Sequence, residues 1–172
     1  MSDTKMLDGK RVLAVDDEPD ILEVIVELLD RCTVVTASNF EEAKQLIESE
    51  AFDIAILDIM GVNGYGLLDI ANKKNIPAVM LTAHAFTADN LVRTIKEGAY
   101  SYIPKEELND IADYLIDALI AKEKGENPWG AWQQRLPSSY FERRWGSAWK
   151  DVDRDFWNRF KESIRARKAG KK

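Results

Sequence analysis

Three aspartates, a threonine and a lysine stand where runs of apolar residues stop. Asp16 and Asp17 follow the apolar run of Arg11 to Val15, and Asp58 closes Ile54-Ala55-Ile56-Leu57. Thr82 closes Ala78-Val79-Met80-Leu81, and Lys105 follows Tyr102-Ile103-Pro104. Carboxylates gathered in one cleft repel one another and require a cation. A donor set of oxygens suits Mg²⁺, which keeps part of its water shell. With a metal attending it, an unprotonated Asp58 can act as a nucleophile toward a phosphoryl group. The metal and the Lys105 ammonium would then offset charge on the phosphoryl oxygens. The Thr82 hydroxyl could donate a hydrogen bond to the same oxygens.

Such a cluster needs a scaffold that brings distant segments together. The unbroken apolar run before Asp58 predicts a strand buried on both faces. Further strands are predicted over Arg11–Asp16, Cys32–Ala37, Asp53–Asp58, Ala78–Thr82 and Tyr100–Ile103. Helical spacing lies between them. Ile21, Leu22, Ile25, Leu28 and Leu29 follow the opening Asp17-Glu18-Pro19. Ser38 or Asn39 caps a second helix, and Leu67, Leu68 and Ala71 mark a third. Thr87 to Glu97 gives the fourth, stopped by Gly98, and Glu106 to Lys124 a long fifth. Alternating strands and helices specify an α/β fold, a doubly wound parallel sheet with right-handed crossovers. Every strand of such a sheet delivers its C-terminal end to one edge, where these folds place ligands.

The chain changes character near Gly125-Glu126-Asn127-Pro128. Residues 1–124 hold 12 Lys/Arg against 24 Asp/Glu, whereas residues 125–172 hold 12 against 6. All 5 tryptophans, Trp129, Trp132, Trp145, Trp149 and Trp157, lie beyond the break. Residues 9–124 are therefore read as the α/β unit and 125–172 as a helical, Trp-rich basic extension. The single cysteine, Cys32, excludes an internal disulfide and points to a reducing, cytoplasmic compartment. No apolar run reaches the ~18 residues of a membrane span, and Met1-Ser2-Asp3-Thr4-Lys5 lacks a secretory pattern.

Val15-Asp16-Asp17-Glu18, Leu57-Asp58, Leu81-Thr82-Ala83 and Tyr102-Ile103-Pro104-Lys105, in this order and spacing, resemble the receiver domain of two-component response regulators. The resemblance covers about residues 9–124. It implies a flavodoxin-like fold with strand order 2-1-3-4-5 and a bacterial signalling protein that is not a metabolic enzyme. Asp58 would accept phosphate from a phosphohistidine on a sensor histidine kinase or phosphotransfer protein. Asp17, Asp58 and the backbone carbonyl of Met60 would hold Mg²⁺, with Asp16 acting mainly through water. Lys105 would contact the phosphoryl group, Thr82 would move toward it, and Tyr102 would rotate inward. Ala83 would line the site beside the entering group, as would His84, the only histidine. Gly61-Val62 stand where the family often has Met-Pro, and Lys105 is preceded rather than followed by proline.

The extension carries no helix-turn-helix pattern and no zinc-ligand spacing. Val152, Phe156, Phe160 and Ile164 recur every four residues, which predicts an amphipathic helix over Asp151–Lys168. The apolar stripe of the fifth helix, Leu108, Ile111, Ala112, Leu115 and Leu119, is widened by Ile116 and Ile120. The extension is thus expected to pack on its own α/β unit or on a second copy as a homodimer. The alternative is a transcription regulator whose basic tail binds DNA. The six acids of the tail argue against nucleic acid and membrane surfaces as partners.

Overall fold

The computed structural model describes residues 2–83 and 86–170, with the side chains of residues 2–4, 152 and 165–170 excepted. Strands β1 (Arg11–Val15), β2 (Thr33–Ala37), β3 (Ile54–Asp58), β4 (Ala78–Thr82) and β5 (Ser101–Pro104) form one parallel sheet. Their order is β2-β1-β3-β4-β5, the doubly wound arrangement expected. β3 and β4 are buried along their whole length. Val15 pairs with Leu57, Asp58 with Leu81 and Thr82 with Pro104, so the chemically active strand ends lie on adjacent rungs.

Helices α1 (Pro19–Leu28), α2 (Phe40–Ser49), α3 (Gly64–Lys73), α4 (Ala88–Lys96) and α5 (Ile111–Lys124) complete the α/β unit. Asn39 and Thr87 cap α2 and α4, each side chain accepting a backbone N–H of the first turn. Two boundaries move for identifiable reasons. Asp53 stands outside β3 because its carboxylate accepts the Arg11 backbone N–H at 2.9 Å. The predicted fifth helix opens as a 3-10 turn over Lys105–Asp110 before α5 begins. Leu108 and Ile111, both buried, are three residues apart, an interval that suits three residues per turn.

Gly125, at φ +67°, ends α5 in the left-handed region, so the break in composition coincides with a break in the chain. The extension then forms α6 (Trp129–Arg135), α7 (Ser138–Trp145), a 3-10 turn (Trp149–Asp153) and α8 (Arg154–Gly170). The last helix starts three residues later than its periodicity predicts, and the Asp153 carboxylate accepts the Phe156 N–H at 3.1 Å. The two short helices before it are not legible as periodic segments.

The extension folds back on its own α/β unit. β5 is an edge strand, and edges need cover. The Trp132 indole donates to the Tyr102 carbonyl at 2.8 Å, which caps that edge. Phe141, almost fully buried, sits at the centre of the seam. Its ring centroid lies 4.9 Å from Trp145, 5.4 Å from Trp132 and 5.9 Å from Phe86 of the α/β unit. Phe86 in turn stacks on Tyr102 at 5.6 Å. Opposite charges meet around the rim, where Arg135 pairs with Asp117 and Arg144 with Glu106. Of the two residues that widen the α5 stripe, Ile116 is accordingly buried and Ile120 half-buried.

Because Phe141 joins the extension's aromatic cluster to the sheet, Phe141→Ala is expected to cost about 3–5 kcal/mol of unfolding free energy. Urea denaturation followed by far-UV circular dichroism measures it, and a loss below about 1 kcal/mol would show that the seam contributes little.

Candidate functional site

At the C-terminal edge of the sheet a cleft of about 200 Å³ is lined by Asp17, Glu18, Asp58, Met60, Gly61, Ala83 and Lys105. Each comes from a segment that leaves a strand. Asp58 is the last residue of β3 and is only 4% exposed. Asp16 leaves β1 fully buried, and one of its oxygens accepts the Glu18 backbone N–H at 2.9 Å, which sets the turn into α1. Asp16 thus has a structural task as well as a charge.

The Lys105 ammonium reaches across the cleft. Its Nζ lies 2.7 Å from Glu18 Oε1, 2.9 Å from Asp16 Oδ2 and 3.5 Å from Asp58 Oδ1. Two glycines permit this crowding. A Cβ on Gly61, which has φ +85°, would fall 2.5 Å from Asp17 Oδ2. A Cβ on Gly64 would fall 2.2 Å from the Asp58 carbonyl oxygen. Gly61 therefore makes room for an acid.

One ammonium cannot neutralise so many carboxylates. Burial, and next the charge of Asp16, push the Asp58 carboxyl up to about 7 despite Lys105. Burial also raises Asp16, against its bonds to Lys105 and the Glu18 N–H. Burial alone would lower Lys105, but Glu18, Asp16 and Asp58 outweigh it and hold the ammonium above its usual range. The opposite senses have one cause: the lysine gains from every acid, while the acids share a single cation.

The residues fit a hard divalent ion. Carboxylate oxygens of Asp16, Asp17 and Glu18 can all lie within 4.8 Å of one another. The set is all oxygen, negative in excess and open to solvent through the cleft, which matches Mg²⁺ better than a soft metal. Asp58 and Met60 line the same cleft.

The remaining expected residues divide. Ala83 lines the cleft. The Thr82 hydroxyl is buried and has no hydrogen-bond partner among the described residues. Tyr102 is fully buried and stands apart from the cleft; its hydroxyl accepts the Thr87 N–H at 3.0 Å. Its ring already lies inside, beneath the extension. His84 lies outside the described residues. Glu18, the nearest partner of Lys105, has no role legible in the sequence, since an acid at the entry to a helix is ordinary.

The raised Asp58 gives a signed prediction. The unfolded chain releases this proton near the ordinary carboxylate value and the folded chain only near 7, so the group costs stability as pH rises between them. In chelator, Asp58→Asn is expected to stabilise the protein at pH 8 by about 1–3 kcal/mol and by less at pH 5. Urea unfolding at both pH values tests this, and a variant less stable than the parent at pH 8 contradicts it.

Comparison with known proteins agrees with the geometry. Residues 12–116 match the response regulator receiver domain family. Two-component response regulator ARR18 of Arabidopsis thaliana is 35% identical over 118 residues, 63% of this chain and 18% of the relative. Response regulator protein PilR of Pseudomonas aeruginosa is 33% identical over 118 residues, 64% of this chain and 26% of the relative. The chain thus spans a minor part of these plant and bacterial relatives. The crystal structure of a CheY-like receiver domain protein from Methanospirillum hungatei JF-1 matches with TM-score 0.62 and 30% identity, covering 69% of this chain and 99% of that one. The family match ends within α5, before the Trp-rich extension begins. The chain belongs to the response regulator receiver domain family.

Proposed function

We propose that the chain is a phospho-acceptor switch. Asp58 takes a phosphoryl group from a phosphohistidine on a sensor kinase or phosphotransfer protein, and the protein surface changes in response. The observation that carries the reading is the Lys105 ammonium lodged among Asp16, Glu18 and Asp58 in one open cleft beside Ala83.

The chemistry balances simply. An Asp58 oxygen attacks phosphorus, the P–N bond breaks, and the imidazole leaves with the electron pair and takes up a proton. Later a water attacks phosphorus, the bond from phosphorus to the Asp58 oxygen breaks, and the carboxylate is restored as inorganic phosphate and a proton leave. Asp17, Asp58 and the Met60 carbonyl would hold Mg²⁺, with Asp16 and Glu18 beside them, and it would supply charge neutralisation that favours the unprotonated Asp58. Lys105 shifts from Glu18 and Asp16 toward the phosphoryl oxygens, and the Thr82 hydroxyl, without a partner among the described residues, donates to another. Ala83 leaves space for the group. The protein catalyses its own modification and turns over no metabolite.

The DNA-binding alternative gains no support from the buried aromatic part of the extension. Trp129, Trp132, Trp149 and Trp157 are buried, so they offer no face for bases, and Arg135 and Arg144 are paired with acids of the α/β unit. Among the described residues no helix is long and apolar enough to cross a membrane.

Acetyl phosphate with Mg²⁺ is expected to label the parent and not Asp58→Asn. Equal labelling of the variant, read by Phos-tag electrophoresis, refutes the assignment. Lys105→Ala is expected to keep Mg²⁺ binding within about threefold while losing the surface change, because the ammonium acts on phosphoryl charge rather than as a metal ligand. A normal response of that variant in hydrogen exchange contradicts its role.

A further inference from the structure

The extension encloses a groove to which no residue of the Asp58 cleft contributes. α6, α7, the 3-10 turn and α8 bound a cavity of about 240 Å³ walled by Trp132, Phe141, Trp149 and Trp157. A second cavity of about 300 Å³ opens beside it toward Arg154 and Lys161 of α8. Gln133, Lys150 and Trp157 line both, so the two adjoin as halves of one groove. Its half-buried charge is Lys150. The ammonium lies 5.3 Å from the Trp149 ring centroid and 5.7 Å from that of Trp157, and the two rings meet edge to face at 5.0 Å. Among the described residues it bonds only the Ser138 hydroxyl, at 3.0 Å. A lysine stem laid on tryptophans can be mere packing. Yet Arg135, Arg144 and Arg154 of the same extension each hold a carboxylate, and Lys150 holds none among the described residues. Asp151, the acid that lines the groove, is taken by Arg154. Burial, and next the charge of Lys161, hold the Lys150 ammonium below its usual range against Glu142. The groove is short of negative charge, the reverse of the cleft at Asp58.

We propose that this groove binds a small aromatic carboxylate, with the ring against Trp149 and Trp157 and the carboxylate on the Lys150 ammonium. Apolar walls with a few placed polar groups are what small-molecule sites share. The Ser138 hydroxyl and the half-buried Gln133 amide add donors at the same wall. An ammonium partly withdrawn from water gains more from a counter-ion than an exposed one does. A single half-buried ammonium matches a single negative charge, whereas the second charge of a phosphate would rest on exposed Lys161. The tryptophans are reached only from within the groove, so a free small molecule meets them where a nucleic-acid strand finds no open face. A molecule seated there touches the 3-10 turn, α6 and α8 together and ties these short elements to one another. The site is separate from phosphoryl chemistry and stands or falls without the phospho-acceptor reading.

The test uses the full chain, without phosphodonor, and 1-naphthoate as the probe. The 5 tryptophans each contribute an indole N–H signal to a ¹H–¹⁵N spectrum. Titration is expected to give a Kd of about 1 mM or tighter. The signals of Trp132, Trp149 and Trp157 are expected to move more than those of Trp129 and Trp145, which do not line the groove. Neutral 1-naphthalenemethanol is expected to bind about tenfold or more weakly, for want of the charge-assisted bond. That comparison is made on the parent protein, so it does not depend on a variant folding. Lys150→Met keeps an apolar stem on the tryptophans and is expected to lose about tenfold in naphthoate affinity with its unliganded spectrum otherwise parental. No binding of naphthoate by the parent, equal binding of the alcohol, or undiminished binding by folded Lys150→Met overturns the site. 1-Naphthyl phosphate binding about tenfold more tightly than naphthoate overturns the choice of carboxylate. None of these results touches the labelling of Asp58.

Discussion

A carboxylate buried at the end of a central strand is unfavourable unless cations attend it, and the site is built on that imbalance. Asp58 and Asp16 are withdrawn from water, with Asp17 and Glu18 close by, and a single ammonium from Lys105 faces them. The arrangement persists because the rest of the fold over-determines it. Asp16 also sets the turn into α1, Gly61 and Gly64 clear the space, and Lys105 rides on a 3-10 turn anchored by buried Leu108. What is left is a site short of positive charge and able to gain from a divalent ion.

The parallel sheet explains why residues so far apart in sequence meet. Strand order and register place the ends of β1, β3 and β4 together, and the loop after β5 reaches back over them. That cluster has two exits along the chain. β4 leads to Phe86, and β5 passes through Tyr102 to Lys105 and Glu106. In this chain both exits end on the Trp-rich extension, which is packed into the same apolar cluster as the sheet. The extension also covers the β5 edge, where the Trp132 indole bonds the Tyr102 carbonyl.

Much of this was legible in the sequence, for physical reasons. Buried parallel strands leave continuous apolar runs, and an acid, a threonine or a lysine that stops such a run marks the functional edge. Caps such as Asn39 and Thr87 announce themselves by type and position. Glu18 did not, because an acid at a helix start is ordinary. The helices α6 and α7 were hidden because seven or eight residues give too little periodicity. The tethers from Trp132 to Tyr102 and from Trp145 to Phe86 span 30 and 59 residues, and no local pattern encodes a bond at such separation. Composition showed that a basic, aromatic segment followed an acidic one; only the fold shows where it docks.

In the proposed reaction one particular carboxylate of the cluster, Asp58, becomes the acyl phosphate. Borohydride reduction after treatment with acetyl phosphate and Mg²⁺ converts an aspartyl phosphate to homoserine, and peptide mass spectrometry then locates it. The account predicts homoserine at position 58 alone. Homoserine at 16 or 17, or none anywhere while the folded protein binds Mg²⁺, would contradict it.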